Sequence, residues 1–183
     1  GFNLSKVSLK NNGNPFLLFI HGTNSSTAGS FSEIQQSELW KNMRQTYGDN
    51  IIALQHETLT KSPIQNVIQL FKELPSGCTL HVITHSRGGL VGDVLARFCN
   101  GNAGFTPKEI AYLEKTKRTS DVANIAALQK IATGNNIVIE KYIRVACPAY
   151  GTTILSKRLD HFLNISINLI GSVFGPAGNL IAG

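Results

Sequence analysis

Four short apolar segments, each followed by a stretch with helical spacing, constrain the fold more than any other feature of the chain. They cover 16–20, 50–55, 79–84 and 136–145. The first, FLLFI, is an uninterrupted apolar run, which is typical of a parallel strand covered on both faces. Strands that alternate with helices in this way predict an α/β fold with three layers and a mostly parallel sheet.

Helix boundary signals separate the predicted strands. Ser62 precedes a proline, and a Pro-Ser-Gly stretch follows at 75–77, which predicts a helix between the two signals. Thr106 also precedes a proline and stands three residues before Glu109, the spacing of a capping box. Helical spacing predicts further helices within 30–48, 89–101 and 120–134.

The chain has 183 residues, the size of one α/β domain, and we predict a single domain over 1–183. Two segments are candidates for helices of a cap or lid, namely 102–134, a helical cap insertion, and 162–183. The second contains no charged residue, but polar residues, glycines and a proline interrupt it. A lid-like or buried helix pair is therefore favoured over a membrane span. Because its apolar pattern runs to the last residue, we expect a fold truncated at its C-terminus.

Charge and cysteine content limit the classes of partner and the cellular compartment that the sequence favours. The net charge is +6, but the basic residues are scattered and no aromatic stripe accompanies them, so no nucleic-acid partner is predicted. The three cysteines show no C-x-x-C spacing, which argues against a disulfide or metal framework. A reducing, cytoplasmic compartment is favoured. No cofactor and no metal are expected, and contact with a membrane surface is not predicted.

A serine stands where the third apolar segment gives way to a helix, in the sequence THSRG at 84–88. Such a break is either an ordinary turn or a nucleophile elbow, in which a strained strand–turn–helix junction lifts the serine hydroxyl clear of the sheet. The amino end of the helix would add free N–H groups and a positive dipole. Thr84 departs from the glycine usual two residues before the serine, whereas Gly88 keeps the space after it.

Two backbone N–H groups near Ser86 would be needed to stabilise an oxyanion. We predict the N–H of Arg87 and that of Thr23, with Gly22 giving the second loop its bend. His56 also follows a strand, at the edge where ligands of open α/β sheets bind. It either caps its own loop or contributes to the substrate site.

Three ordered motifs carry a resemblance to a known superfamily. FLLFIHGTNSS, THSRGGLVG and RVACPAYGT resemble the α/β-hydrolases of the lipase and esterase type. The resemblance is closest to bacterial lipase-like domains that are sometimes fused to CHAT (caspase-like) protease domains. It covers about 16–159 and implies an oxyanion loop, a serine elbow and a later strand end, in that order.

A serine hydroxyl needs a base that is itself held by an acid. After Ser86 the sequence offers a single histidine, His161, and the aspartates Asp93, Asp121 and Asp160. The last aspartate directly precedes His161 on a predicted helix, so the two side chains project about 100° apart and cannot form a relay together. Three alternatives stay open: a triad completed beyond residue 183, a degenerate hydrolase, and His161 or His56 as an unusual base.

The leading hypothesis is a lipase- or esterase-like serine hydrolase that acts on an acyl ester through an acyl-enzyme. The competing hypothesis is a catalytically incomplete binding or regulatory module of a larger, protease-linked bacterial signalling or defence protein. In the second case the partners are other domains of the same protein or a protease. The catalytic candidates are Ser86, Thr23, Arg87 and His161, and the substrate-binding candidates are Gly22, His56 and Tyr150.

Overall fold

The computed structural model describes residues 8–147. The lid-like pair expected over 162–183 lies outside this range. The strands are β1 (Phe16–Ile20), β2 (Ile51–Leu54), β3 (Thr79–His85) and β4 (Val138–Val145). The helices are α1 (Thr27–Phe31), α2 (Glu38–Tyr47), α3 (Pro63–Glu73), α4 (Gly88–Ala96), α5 (Pro107–Lys115) and α6 (Thr119–Ala132), with a 3₁₀ turn over Ser32–Gln36.

The four strands form one parallel sheet in the order β2-β1-β3-β4. β1 lies between β2 and β3, and its pairing aligns Ile20 with Leu54 on one side and with Thr84 on the other. The carboxyl ends of these three strands therefore meet at one edge of the sheet. The prediction of an α/β fold with a parallel sheet is confirmed.

Helices pack on both faces of the sheet because alternate residues of β1 point in opposite directions. Leu18 and Ile20 belong to the larger core, which α3, α4 and α6 cover. Leu17 and Phe19 belong to a smaller core on the other face, which contains Phe31 and is covered in part by α2. All five residues of β1 are buried, as the uninterrupted apolar run predicts.

The helix caps that the sequence predicts at Ser62 and Thr106 are present in the structure. Ser62 accepts from the Gln65 N–H, and the Gln65 side chain accepts from the Ser62 N–H, so that α3 begins with a capping box. Thr106 and Glu109 form the same reciprocal pair at the start of α5. The single helix expected within 30–48 is instead broken, because Ser37 takes an extended conformation and caps a new helix, α2.

The pairing of β3 with β4 contains a β-bulge. Leu80 pairs with Ile139 and His81 pairs with Lys141, so that Glu140 is the extra residue. Its carboxylate accepts a hydrogen bond from Nε2 of His81 at 2.8 Å. After the bulge, Tyr142 lies on the face that carries the larger core.

The crossover from β3 to β4 contains α4, α5 and α6. Ile125 and Leu128 of α6 are buried in the larger core, so this helix belongs to the layer beside the sheet. A cap role for 102–134 stays a prediction. Within 8–147, none of the helices combines the length and the apolar character that crossing a membrane requires.

Candidate active site

Ser86 lies in a strained turn between β3 and α4. Its φ is 52°, in the left-handed region that residues other than glycine rarely adopt. The turn is held from both sides: the Ser86 N–H donates to the Val145 carbonyl at 2.9 Å, and the Ser86 carbonyl accepts from the Gly89 N–H at 3.0 Å. The strand–turn–helix geometry that a nucleophile elbow requires is therefore present at this serine.

Two glycines allow the chain to close around the serine. A Cβ on Gly22 would lie 2.9 Å from the Cβ of Ser86, closer than side-chain atoms pack. A Cβ on Gly88 would lie under 3.0 Å from the carbonyl oxygens of Ile20 and His21. The loop after β1 therefore contacts the serine turn directly, and the first turn of α4 packs on the end of β1.

His21 holds the loop after β1 through both ring nitrogens. Its Nδ1 donates to the Gly22 carbonyl at 3.0 Å, and its Nε2 accepts from the backbone N–H of His56 at 3.3 Å. This pair of bonds fixes the tautomer with the proton on Nδ1. Burial lowers the pKa of His21, the bond to the Gly22 carbonyl opposes this, and the Arg87 charge lowers it further. His21 is thus a neutral, structural histidine.

His56 stacks on His21, with ring centroids 4.2 Å apart. Only 7% of the residue is exposed, and Nδ1 donates to the Leu54 carbonyl at 3.3 Å. Burial lowers its pKa to about 4; positive charge on His21, when that ring is protonated, and on Arg87 acts in the same direction, and the bond to Leu54 opposes them. Its Nε2 is buried and lacks a hydrogen-bond partner among residues 8–147. His56 thus ties its own loop to the loop after β1.

The Arg87 side chain makes a contact that sequence reasoning missed. Its backbone N–H is the predicted oxyanion donor, whereas its side-chain Nη2 donates to the Lys61 carbonyl at 2.9 Å, in the loop after β2. Burial lowers the pKa of this guanidinium. No ion pair joins it to a carboxylate within the described part of the chain, and its Nη1 is a buried donor without a partner there.

Asp93, the first aspartate after Ser86, is engaged in a structural network. Its Oδ1 accepts from the Tyr142 hydroxyl and from Arg144 Nη1, each at 3.0 Å. The Tyr142 hydroxyl also lies 3.0 Å from the Gly89 carbonyl. These bonds join the elbow helix α4 to β4, so Asp93 fixes the position of the helix.

A second histidine network lies away from the serine edge, in the middle of β3. The Tyr47 hydroxyl is 2.6 Å from Nδ1 of His81, whose Nε2 donates to Glu140. Beside it, α2 and the sheet border a cavity of about 260 Å³. His81 is buried, as its place in a strand predicts, but its partners come from α2 and the bulge, which no local pattern links to it.

The predicted site residues divide into three groups. Ser86, Gly22 and the Arg87 backbone come together at the carboxyl edge of β1 and β3, and the exposed Thr23 follows Gly22 in the same loop. His56 lies at this edge but is buried beneath it. Tyr150 and His161 fall outside the described residues. Within 8–147, no side chain hydrogen-bonds the Ser86 hydroxyl, and no histidine, cysteine and carboxylate group is arranged to hold a metal ion.

The fold and the strained serine turn define a parallel α/β domain with a serine at the carboxyl edge of its sheet. Residues 3–132 match the family model described as a domain of unknown function (DUF7379), which spans more than half of the chain. The chain belongs to this family. Neither the curated proteins nor the solved structures contain a match.

Proposed function

We propose that the chain carries the nucleophile and the oxyanion hole of a lipase- or esterase-like serine hydrolase of the α/β-hydrolase type. The observation that carries the proposal is the left-handed Ser86, at φ 52°, between a parallel strand and a helix. Strain of 1–3 kcal/mol or so at a non-glycine residue persists only where the surrounding structure imposes it, and such residues cluster at functional sites. The close approach of Gly22 adds the second loop that acyl transfer requires.

In the proposed reaction, Ser86 Oγ attacks the carbonyl carbon of an acyl ester. The serine proton passes to a base, a C–O bond forms, and the negative charge collects on the former carbonyl oxygen. The N–H groups of Thr23 and Arg87 stabilise this oxyanion. The C–O bond to the alcohol then breaks, the alcohol leaves with the proton from the base, and water hydrolyses the acyl-enzyme.

The base belongs to residues outside 8–147 in this proposal. Three of the four described histidines have ring nitrogens bonded to other groups. His21 bonds the Gly22 carbonyl and the His56 N–H, Nδ1 of His56 bonds the Leu54 carbonyl, and His81 bonds Tyr47 and Glu140. His85 faces the Phe31 ring edge at a centroid distance of 6.3 Å. His161, or a histidine beyond residue 183, is then the candidate. A cytoplasmic location accompanies the proposal, since the free Cys78 and Cys99 suit a reducing compartment.

Labelling with a fluorophosphonate tests the proposal. The reagent forms a covalent bond only with an activated serine, and peptide mass spectrometry locates it. We expect labelling at Ser86, loss of labelling in Ser86→Ala, and full labelling in the control Ser37→Ala, which removes a serine at the start of α2. Hydrolysis of short acyl esters by the 183-residue chain would complete the test. An unlabelled Ser86 in a folded chain would contradict the presence of a working base.

A second candidate function is a binding or regulatory module in a larger, protease-linked protein. It is favoured because neither His21 nor His56 hydrogen-bonds Ser86: both ring nitrogens of His21 bond backbone groups, and His56 is buried and stacks on His21. The two functions differ in the labelling result. Labelling at Ser86 supports the hydrolase, whereas a folded, unlabelled chain that binds a domain of its own parent protein supports the module.

A further inference from the structure

The loop between β2 and α3 is tied to both halves of the proposed oxyanion hole. On one side, the backbone N–H of Asn24 donates to Thr58 Oγ1 at 3.0 Å, one residue after Thr23. On the other side, Arg87 Nη2 donates to the Lys61 carbonyl at 2.9 Å. The segment 55–61 therefore borders the oxyanion loop and the serine turn at once.

Hydrogen bonds and an ion pair also hold the conformation of the segment 55–61. The Glu57 carboxylate lies 2.7 Å from Lys61 Nζ and also accepts from the Thr60 hydroxyl. The buried Asn66 of α3 donates from Nδ2 to the Glu57 carbonyl at 3.0 Å. Loop segments with so many fixed backbone and side-chain contacts present their remaining side chains in a defined direction.

Leu59 is the residue of this segment whose apolar side chain faces solvent. It is 75% exposed, the highest value among the large hydrophobic residues that the structure describes. It lies between Thr58, which is tied to the oxyanion loop, and Lys61, which is tied to Arg87. An apolar side chain held outward on a segment that is bonded to both loops around Ser86 suits contact with a hydrocarbon group, because covering it removes apolar surface from water.

We propose that the segment 55–61 is the acyl-recognition wall of the site, with Leu59 as the residue that contacts an unbranched acyl chain. Arg87 is its positioning residue, since its side chain holds the wall against the turn whose backbone N–H serves the oxyanion. The proposal rests on the proposed hydrolase function and adds the substrate class, an ester whose acyl group is an unbranched hydrocarbon chain. It also predicts that turnover depends on acyl length, because the Arg87 side chain joins the segment 55–61 to the serine turn.

The test compares 4-nitrophenyl acetate with 4-nitrophenyl octanoate, both as dissolved monomers. Leu59→Ser should lower kcat/KM for the octanoate about 10-fold, through KM, and the acetate far less, since removing a few methylene contacts has effects of this order. Leu39→Ser is the matched control, because Leu39 is 53% exposed but belongs to α2. It should leave both esters unaffected.

Arg87 is tested by its conservative variant. Arg87→Met keeps the backbone N–H but loses the bond to the Lys61 carbonyl, and should reduce the octanoate-to-acetate ratio about 10-fold. Arg87→Lys, which retains a donor, should restore part of that ratio. If Arg87 had a purely structural role, Arg87→Met would lower kcat/KM for both esters equally, and Arg87→Lys would not change the octanoate-to-acetate ratio.

A binding measurement separates the acyl wall from the hydrolase function. Methyl octanoate is titrated into Ser86→Ala, with and without Leu59→Ser, and binding is followed by saturation-transfer NMR. Binding that depends on Leu59, together with no hydrolysis of either ester by the wild-type chain, would refute the hydrolase and support the wall. Binding that is unchanged by Leu59→Ser, or the absence of binding, would overturn the proposed acyl-recognition wall. So would a Leu59→Ser effect confined to phosphatidylcholine vesicles, because Leu59 would then contact a lipid surface.

Discussion

Lowering the pH should destabilise this protein through His56. Its pKa is about 4 in the folded state and 6.5 as an ordinary side chain. Between these values the unfolded chain binds the proton and the folded chain does not, so stability is full above pH 6.5 and falls as the pH decreases. The two pKa values give a loss of about 2 kcal/mol between pH 7 and pH 5. His21, whose pKa is also lowered, adds to the loss in the same direction.

The perturbation that isolates this effect is His56→Phe, which keeps an aromatic ring against His21 and removes the titratable group. Urea denaturation at pH 7, 6 and 5 should show a loss of stability that is smaller by about 2 kcal/mol in the variant than in the wild-type protein. The comparison cancels the titration of every group that does not interact with His56. If both proteins lose stability equally between pH 7 and pH 5, the buried neutral state of His56 is wrong.

Three further predictions concern other parts of the fold. Asp93→Ala should lower the free energy of unfolding by about 1 kcal/mol, because it removes one of two acceptors of the Tyr142 hydroxyl and the partly exposed partner of Arg144; Tyr142→Phe should cost about 1 kcal/mol in the same denaturation assay. Gly88→Ala should destabilise by about 2 kcal/mol or more, since the new Cβ meets backbone carbonyls; an unchanged thermal midpoint would contradict the close packing. Cys78 and Cys99, whose pKa values burial raises to about 11 and about 12, should resist iodoacetamide at pH 8 in the folded state and react after unfolding.

The parts of the fold that sequence predicts are those fixed by local signals. β1 follows from five consecutive apolar residues, and α3 and α5 begin at the capping boxes that the sequence displays. The break at Ser37 was not predicted, because a serine between two helical stretches is as compatible with one long helix as with a new cap. The bulge in β4 has no sequence signature either.

In the candidate site, too, some features follow from local sequence signals and others do not. Ser86, Gly22 and the Arg87 backbone follow from their places at strand ends, since parallel strands end at a common edge. The Arg87 side-chain bond to the Lys61 carbonyl joins residues 26 positions apart. The stacking of His21 on His56 joins residues 35 positions apart. Such contacts depend on which strands become neighbours, so the spacing of residues along the chain does not reveal them.

The bulge at Glu140 decides which residues of β4 face the elbow helix. Leu80 pairs with Ile139, whereas Thr84 pairs with Arg144, so that one extra residue lies between the two pairs. In an unbroken strand Lys141 and Ile143 would share the face of Ile139, since side chains alternate along a strand. The extra residue places Tyr142 and Arg144 on that face instead, where both bond Asp93 of α4. The contacts that anchor the helix after Ser86 therefore depend on an irregular pairing near the amino end of β4.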